Sequence, residues 1–258
     1  MNSTPPNETV NGRTQTLANS INRAAAGFNN HWLAVINILV ATYILLPLLA
    51  PTLMKTGLET PARVIYTMYS PMCHQMASRS FFLFGEQPVY PRELAGTNYT
   101  PLEAYTPDLP EFADAPPENW ARFFLAARRF VGNEQMGYKT ALCERDLAIY
   151  GFVLAGGLVY ALLRKRYRIR PLPIILFIII GMGPIALDGF SQLFGYYAVP
   201  LDGSAPQGFQ ATIAAIFPLR ESPPSLRILT GALFGFMLAW LIFPHIEAGM
   251  QPNKKVRK

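Results

Sequence analysis

Cys73 and His74 stand side by side in Tyr69-Ser70-Pro71-Met72-Cys73-His74-Gln75, and the only other cysteine, Cys143, opens Cys143-Glu144-Arg145-Asp146 just ahead of an apolar run. Thiolate, imidazole and carboxylate groups bind Zn²⁺ and other divalent transition metals, so Cys73, His74 and Cys143 with Asp146 or Asp188 could close a tetrahedral site. Pro71 supplies the turn that two adjacent ligands need. Two other readings compete. Cys73 and Cys143 could form a disulfide, which an exported, oxidising location permits. Alternatively both are small apolar fillers at a helix interface, with His74 hydrogen-bonded to a carboxylate. The spacing is not a recognised zinc pattern and does not choose among the three.

The elements that must position these residues are membrane spans. Of 258 residues, 51% are hydrophobic and only 15% charged, and the mean hydropathy is +0.20. The apolar residues gather in runs at Trp32 to Met54, Leu147 to Leu163, Leu172 to Leu187 and Ile228 to Ile246. About 20 apolar residues in a helix cross roughly 30 Å of hydrocarbon, so the chain reads as an all-α integral membrane protein with four transmembrane helices. The first thirty residues are polar and no cleavable signal peptide is expected; the first span reads as a signal anchor.

Basic residues orient the bundle. Arg164, Lys165, Arg166, Arg168 and Arg170 lie between the second and third spans, and Lys254, Lys255, Arg257 and Lys258 follow the fourth, which puts both clusters, and both termini, in the cytoplasm. The expected location is the prokaryotic inner membrane. The net charge of +6 is then mostly topogenic, with an anionic-lipid site at the Arg164 to Arg170 link as the sharper alternative. Nucleic-acid binding is not expected, because no folded basic domain is there to present a groove.

Residues 1–30 read as a disordered cytoplasmic arm, 31–250 as the membrane domain and 251–258 as a basic tail. Pro47 and Pro51 should kink or fray the outer third of the first span. Ala62 to Gly85 mixes apolar residues with Arg63, His74, Gln75 and Arg79 and reads as an interfacial or half-buried helix broken near Pro71. Residues 86–140 read as an external insertion. Its first part, Glu86 to Glu118, holds seven prolines and reads as an irregular loop. Trp120, Phe123, Phe124, Ala127 and Val131 then recur at helical spacing, giving a short amphipathic helix on the outer surface. Pro184 should kink the third span, and Gly208 to Leu219, too short to span, could be re-entrant.

Counting crossings brings the polar residues together. Cys143 and Asp146 begin the second span, Asp188 and Gln192 end the third on one helix face, and Glu221 and Arg227 precede the fourth, so all fall at one membrane edge with Cys73, His74 and Arg79. His31 and His245 fall at the other edge. Ionisable residues beside lipid are costly and usually face protein or water, often at functional sites. Asp188 is the clearest case, unless it simply pairs with Arg145 or Arg227.

Pro71-Met72-Cys73-His74-Gln75 with Arg79-Ser80-Phe81-Phe82, then Cys143-Glu144-Arg145-Asp146 running into Ile149-Tyr150-Gly151, then Asp188-Gly189-Phe190-Ser191-Gln192, then Glu221-Ser222 with Leu226-Arg227 and Thr230-Gly231, resemble a prokaryotic membrane family, domain of unknown function 2085. The resemblance spans about residues 60 to 240 and implies that these motifs belong together. It also implies a second cysteine where this chain has Asp146, so dithiol exchange within that pair is excluded while metal binding survives. Residues 86–140 look like an insertion relative to the family. Pro223 and Pro224 replace expected asparagines.

Two functions follow as expectations. In the first, Cys73, His74, Cys143 and Asp146 hold Zn²⁺ or another divalent transition metal, and the protein is a metal-dependent enzyme on a lipid-borne or other anionic substrate. Asp188 and Gln192 would complete its catalytic set, with Arg79, Arg145 and Arg227 on phosphate or carboxylate groups and a metal-activated water as nucleophile. In the second, the protein is a non-catalytic accessory or assembly subunit of a larger membrane complex, stapled by a disulfide or metal clip, with the insertion as its partner surface.

Overall fold

The computed structural model describes residues 12–201 and 204–250. Among the described residues, four helices are long and apolar enough to cross a membrane: His31–Lys55, Glu144–Leu163, Ile174–Tyr197 and Pro224–Met250. The first is the apolar part of α1 (Gly12–Lys55). Residues 12–30, expected as a disordered arm, are therefore helical, and helix formers such as Leu17, Ala18 and Arg23 with no proline between Gly12 and Pro47 account for it. Residues 1–11 and the expected tail at 251–258 lie outside the described residues.

Pro47 and Pro51 do not end α1, which runs on to Lys55. Pro47 has no N–H for the carbonyl of Tyr43, and the Tyr69 hydroxyl donates to that oxygen instead, at 2.8 Å. Tyr69 closes α2 (Glu59–Tyr69), the half-buried helix expected before Pro71. Beyond it the chain does not continue as an α-helix but turns, makes one 3₁₀ turn at Ala77–Arg79 and enters β1 (Ser80–Leu83).

The insertion is more than a loop. Its first part carries only short 3₁₀ turns, yet Tyr90, Leu102, Leu109 and Phe112 are buried with Phe82, Phe130 and Met136 in one apolar cluster. The amphipathic helix α3 (Trp120–Arg129) closes that cluster with Phe123, Ala126 and Ala127, so it is the lid of a packed cap. Asn119 caps it, accepting the Arg122 N–H at 3.1 Å. After α3 come β2 (Gly132–Asn133) and β3 (Gly137–Cys143), and an antiparallel sheet in the order β1-β3-β2 joins the cap to the bundle. Among the described residues, this small sheet is the departure from an all-α architecture.

β3 passes directly into α4 (Glu144–Leu163), and α4 packs on α8 (Pro224–Met250) through small residues. A Cβ on Gly235 would lie 2.0 Å from the Ile149 carbonyl oxygen, and one on Gly156 would lie 2.7 Å from the Ala239 Cβ. Such contact is the usual way helices approach closely where lipid offers no hydrophobic drive. The third span consists of α5 (Ile174–Leu176), a π-helical stretch at Phe177–Met182 and α6 (Gly183–Tyr197). The kink expected at Pro184 is thus a π segment, in which Gly183 donates to Ile178, five residues back. Residues 208–219 hold a short exposed helix, α7 (Phe209–Ile216).

Candidate metal centre and arginine cluster

Cys143 is both the last residue of β3 and the N-cap of α4, and its sulfur accepts the Asp146 N–H at 3.5 Å. Asp146 lies in the first turn of the helix, so thiol and carboxylate share its N-terminal end, where partial positive charge favours anions. Cys73 reaches them from the turn after α2. Its sulfur accepts the N–H of Gln75 at 3.5 Å and that of Cys143 at 3.2 Å. One ligand atom each from Cys73, Cys143 and Asp146 lie within 4.8 Å of one another, and both cysteines are free thiols. The disulfide is therefore not formed. The hydrogen bond with Cys73, and then burial, push the Cys143 thiol up.

The turn carrying Cys73 is clamped. Gln75 takes a left-handed backbone, φ 52°, and its buried amide donates to the carbonyls of Tyr66 at 2.8 Å and Ala141 at 2.9 Å, tying α2 to β3. Lys139, fully buried on β3, donates to the carbonyls of Gln75 at 2.5 Å, Arg128 at 2.8 Å and Ala127 at 3.2 Å. Burial pulls its ammonium down to about 7, and the neighbouring Cys73 opposes the shift. Residue composition gave no sign of Lys139 in this role, because a lysine is seldom fully buried.

His74, expected as the fourth ligand, is not part of the three-residue group. It is exposed, because the turn that tucks the Cys73 sulfur against two N–H groups directs its neighbour outward. It lines a cavity of about 250 Å³ together with Cys73, Cys143, Asp146 and Arg145.

The other expected site residues form a second cluster beside the first. Asp188 is buried and takes Arg145 on one carboxylate oxygen and Arg220, at 2.7 Å, on the other. The Ser222 hydroxyl also donates to it, and Gln192 donates to Asp188 at 3.3 Å and to Ser222 at 2.6 Å. Arg145 is one of the two partners foreseen for Asp188. The second is Arg220 rather than Arg227. Arg227 donates instead to Glu221, which Arg79 grips through two hydrogen bonds, 2.7 Å and 3.0 Å, and to which the Tyr196 hydroxyl donates at 2.5 Å. Burial works to raise the Glu221 carboxyl, and the facing Arg79 and Arg227 outweigh it, so it is held below the usual range.

Arg227 also faces Glu144 at 3.6 Å. Glu144 is fully buried and neither of its carboxylate oxygens has a hydrogen-bond donor. Sequence reasoning placed Cys143, Arg145 and Asp146 in the site but passed over Glu144, although the helical period turns it toward α8 and Arg227. Asp188 has both oxygens occupied by donors, which leaves Asp146 as the carboxylate free to face a metal.

Residues 134–241 match the model of a family described as "Predicted membrane protein (DUF2085)". The resemblance carried by the polar motifs is borne out over the second, third and fourth spans; the turn with Cys73 lies before the matched stretch. The chain is also 26% identical over 180 residues, 70% of its own length and 67% of the relative's, to the uncharacterised protein MJ1492 of Methanocaldococcus jannaschii. No solved structure matches.

Proposed function

We propose that Cys73, Cys143 and Asp146 hold one divalent transition metal, Zn²⁺ fitting best, in a three-ligand site that leaves a position open toward the cavity. The observation that carries this reading is the donor set itself. Two free sulfurs and a carboxylate oxygen lie within 4.8 Å of one another, and three backbone N–H groups point at the sulfurs; a bound cation would supply the positive charge needed to draw off the proton that Cys73 and burial hold on Cys143. Three protein ligands with an open fourth position are the pattern of catalytic zinc, whereas structural zinc is closed by four.

A bound ion there would supply Lewis acidity and an activated water. The chain's own residues would do the rest. Arg145 and Arg79 line the cavity next to the sulfurs and would orient an anionic substrate, with Asp188 and Glu221 fixing their guanidinium planes. Asp188 and Gln192 thereby become positioning residues. His74 stands at the cavity wall, within reach of a bound molecule. The reading keeps the metal edge outside the membrane, both termini inside and the chain in a prokaryotic inner membrane, in line with its basic link.

Cobalt substitution tests it. Thiolate-to-cobalt charge-transfer absorption that is absent in Cys73→Ala and Cys143→Ala, with ligand-field bands that shift when azide is added, is the expected result. Charge-transfer bands indifferent to azide would indicate a closed structural clip, the reading in which the protein is an accessory subunit. No charge-transfer absorption would remove the metal site.

A further inference from the structure

Beside the small cavity lies a larger one of about 630 Å³ between α3 of the cap and α6 of the third span. His74, Met76, Arg79, Arg145 and Gln192 line both, so the two adjoin. Apart from Arg128, its remaining wall is largely aromatic and aliphatic: Trp120, Phe124 and Leu125 from α3 face Leu193, Tyr196 and Tyr197 from α6. Leu125, Leu193 and Tyr197 are at once lining residues and exposed. The mouth therefore opens at the end of a membrane span, at the depth where a bilayer surface meets it.

The charge of this cavity is one-sided. Arg79, Arg128, Arg145 and His74 line it and no carboxylate does. Two of the arginines have acidic partners behind them: Glu221 takes Nε and one Nη of Arg79, and Asp188 takes one Nη of Arg145. Arg145 gives one Nη to Asp188, while its buried Nε has no acceptor. Arg128 gives one Nη to the Ser70 carbonyl at 3.1 Å and is otherwise exposed. Arg79 lies with its guanidinium 5.0 Å from the Phe124 ring centre, which holds the plane at the cavity wall.

An apolar slot open to lipid, ending in arginines that keep free donors, fits one class of molecule. We propose that this cavity binds a membrane lipid with a phosphate-bearing anionic head, its chain lying between α3 and α6 and its phosphate between Arg128, Arg145 and His74. The inference deepens the proposed function by naming the substrate class, and it rests on that reading only for what the phosphate would meet next, the Cys73–Cys143–Asp146 group.

The test uses the full chain in a neutral detergent after treatment with a chelator, so that lipid binding is read without metal. Trp120 in the cavity wall is a built-in fluorescent reporter. Dioctanoyl phosphatidate should change the tryptophan emission saturably, dioctanoyl phosphatidylcholine and inorganic phosphate should not, and Arg128→Ala should weaken phosphatidate binding about tenfold, the loss of one charge-assisted contact. Arg128→Lys, keeping the charge, should recover part of it. Equal responses to phosphatidate and phosphatidylcholine, or an inorganic phosphate response matching the lipid's, would overturn the proposal, as would phosphatidate binding unaffected in Arg128→Ala. Because no metal is present, failure here leaves the cobalt result standing, and the reverse holds too.

Discussion

The Cys143 backbone N–H donates to the Cys73 sulfur at 3.2 Å, so the chain's two cysteines, 70 residues apart, are joined by a hydrogen bond and not by a disulfide. One sulfur ends a turn and the other ends a strand, and the sheet register that pairs Ser80 with Cys143 holds them in place. Everything proposed for the site depends on that junction staying rigid.

Gln75 should be its most sensitive support. Gln75→Ala removes the donors to the Tyr66 and Ala141 carbonyls and leaves a left-handed backbone at a residue with a Cβ. Each buried carbonyl left without a donor costs about 1 to 3 kcal/mol. The expected outcome is a lower thermal midpoint in detergent and metal affinity reduced by about 10- to 100-fold, as for other residues that orient ligands. A variant matching wild type in both would show that the turn holds itself.

The arginine cluster should respond unequally. Glu221→Gln leaves Arg79 and Arg227 facing each other without their shared counter-ion, and removing one partner from a buried pair costs about 3 to 5 kcal/mol. Arg220→Gln should cost less than about 1 kcal/mol, because Arg220 is one-third exposed and Asp188 keeps Arg145. Comparing the thermal midpoints of the two purified variants decides whether Glu221 is the central counter-ion.

Two glycines of α4 and α8 separate packing from helix propensity. Gly235→Val places a methyl-bearing carbon against the Ile149 carbonyl and should destabilise by about 1 to 3 kcal/mol or prevent recovery of folded protein. Gly151→Val meets nothing within 4 Å and should be tolerated. Size-exclusion profiles of both after mild solubilisation give the answer.

Lys139 makes stability depend on pH. Its folded-state pKa of about 7 lies below the ordinary 10.5, so the unfolded chain holds the extra proton between those values and stability rises with pH across that window. The thermal midpoint of metal-free wild type should climb from pH 7 to pH 10 relative to Lys139→Met. Parallel curves for the two proteins would contradict the assignment.

The spans and the meeting of Cys143, Asp146, Asp188 and Arg227 at one edge were legible because an apolar run has a length and crossings can be counted. The cap was not. Tyr90, Leu102, Leu109 and Phe112 are buried without any period, since 3₁₀ turns and prolines give their side chains no repeating direction. β3 was hidden for a related reason: Thr140, Ala141 and Leu142 are all buried, so no alternation marks a strand. Arg220 was missed because its partnership with Asp188 depends on how the connection after α7 folds back, which helix periodicity does not reach.

The central claim is a metal held by Cys73, Cys143 and Asp146, and elemental analysis of the detergent-purified protein tests it most directly. About one transition-metal ion per chain, lost in the Cys73→Ala, Cys143→Ala double variant and retained in His74→Ala, is the result expected from three protein ligands. Wild-type protein with no stoichiometric metal after purification without chelators and zinc resupply would contradict it.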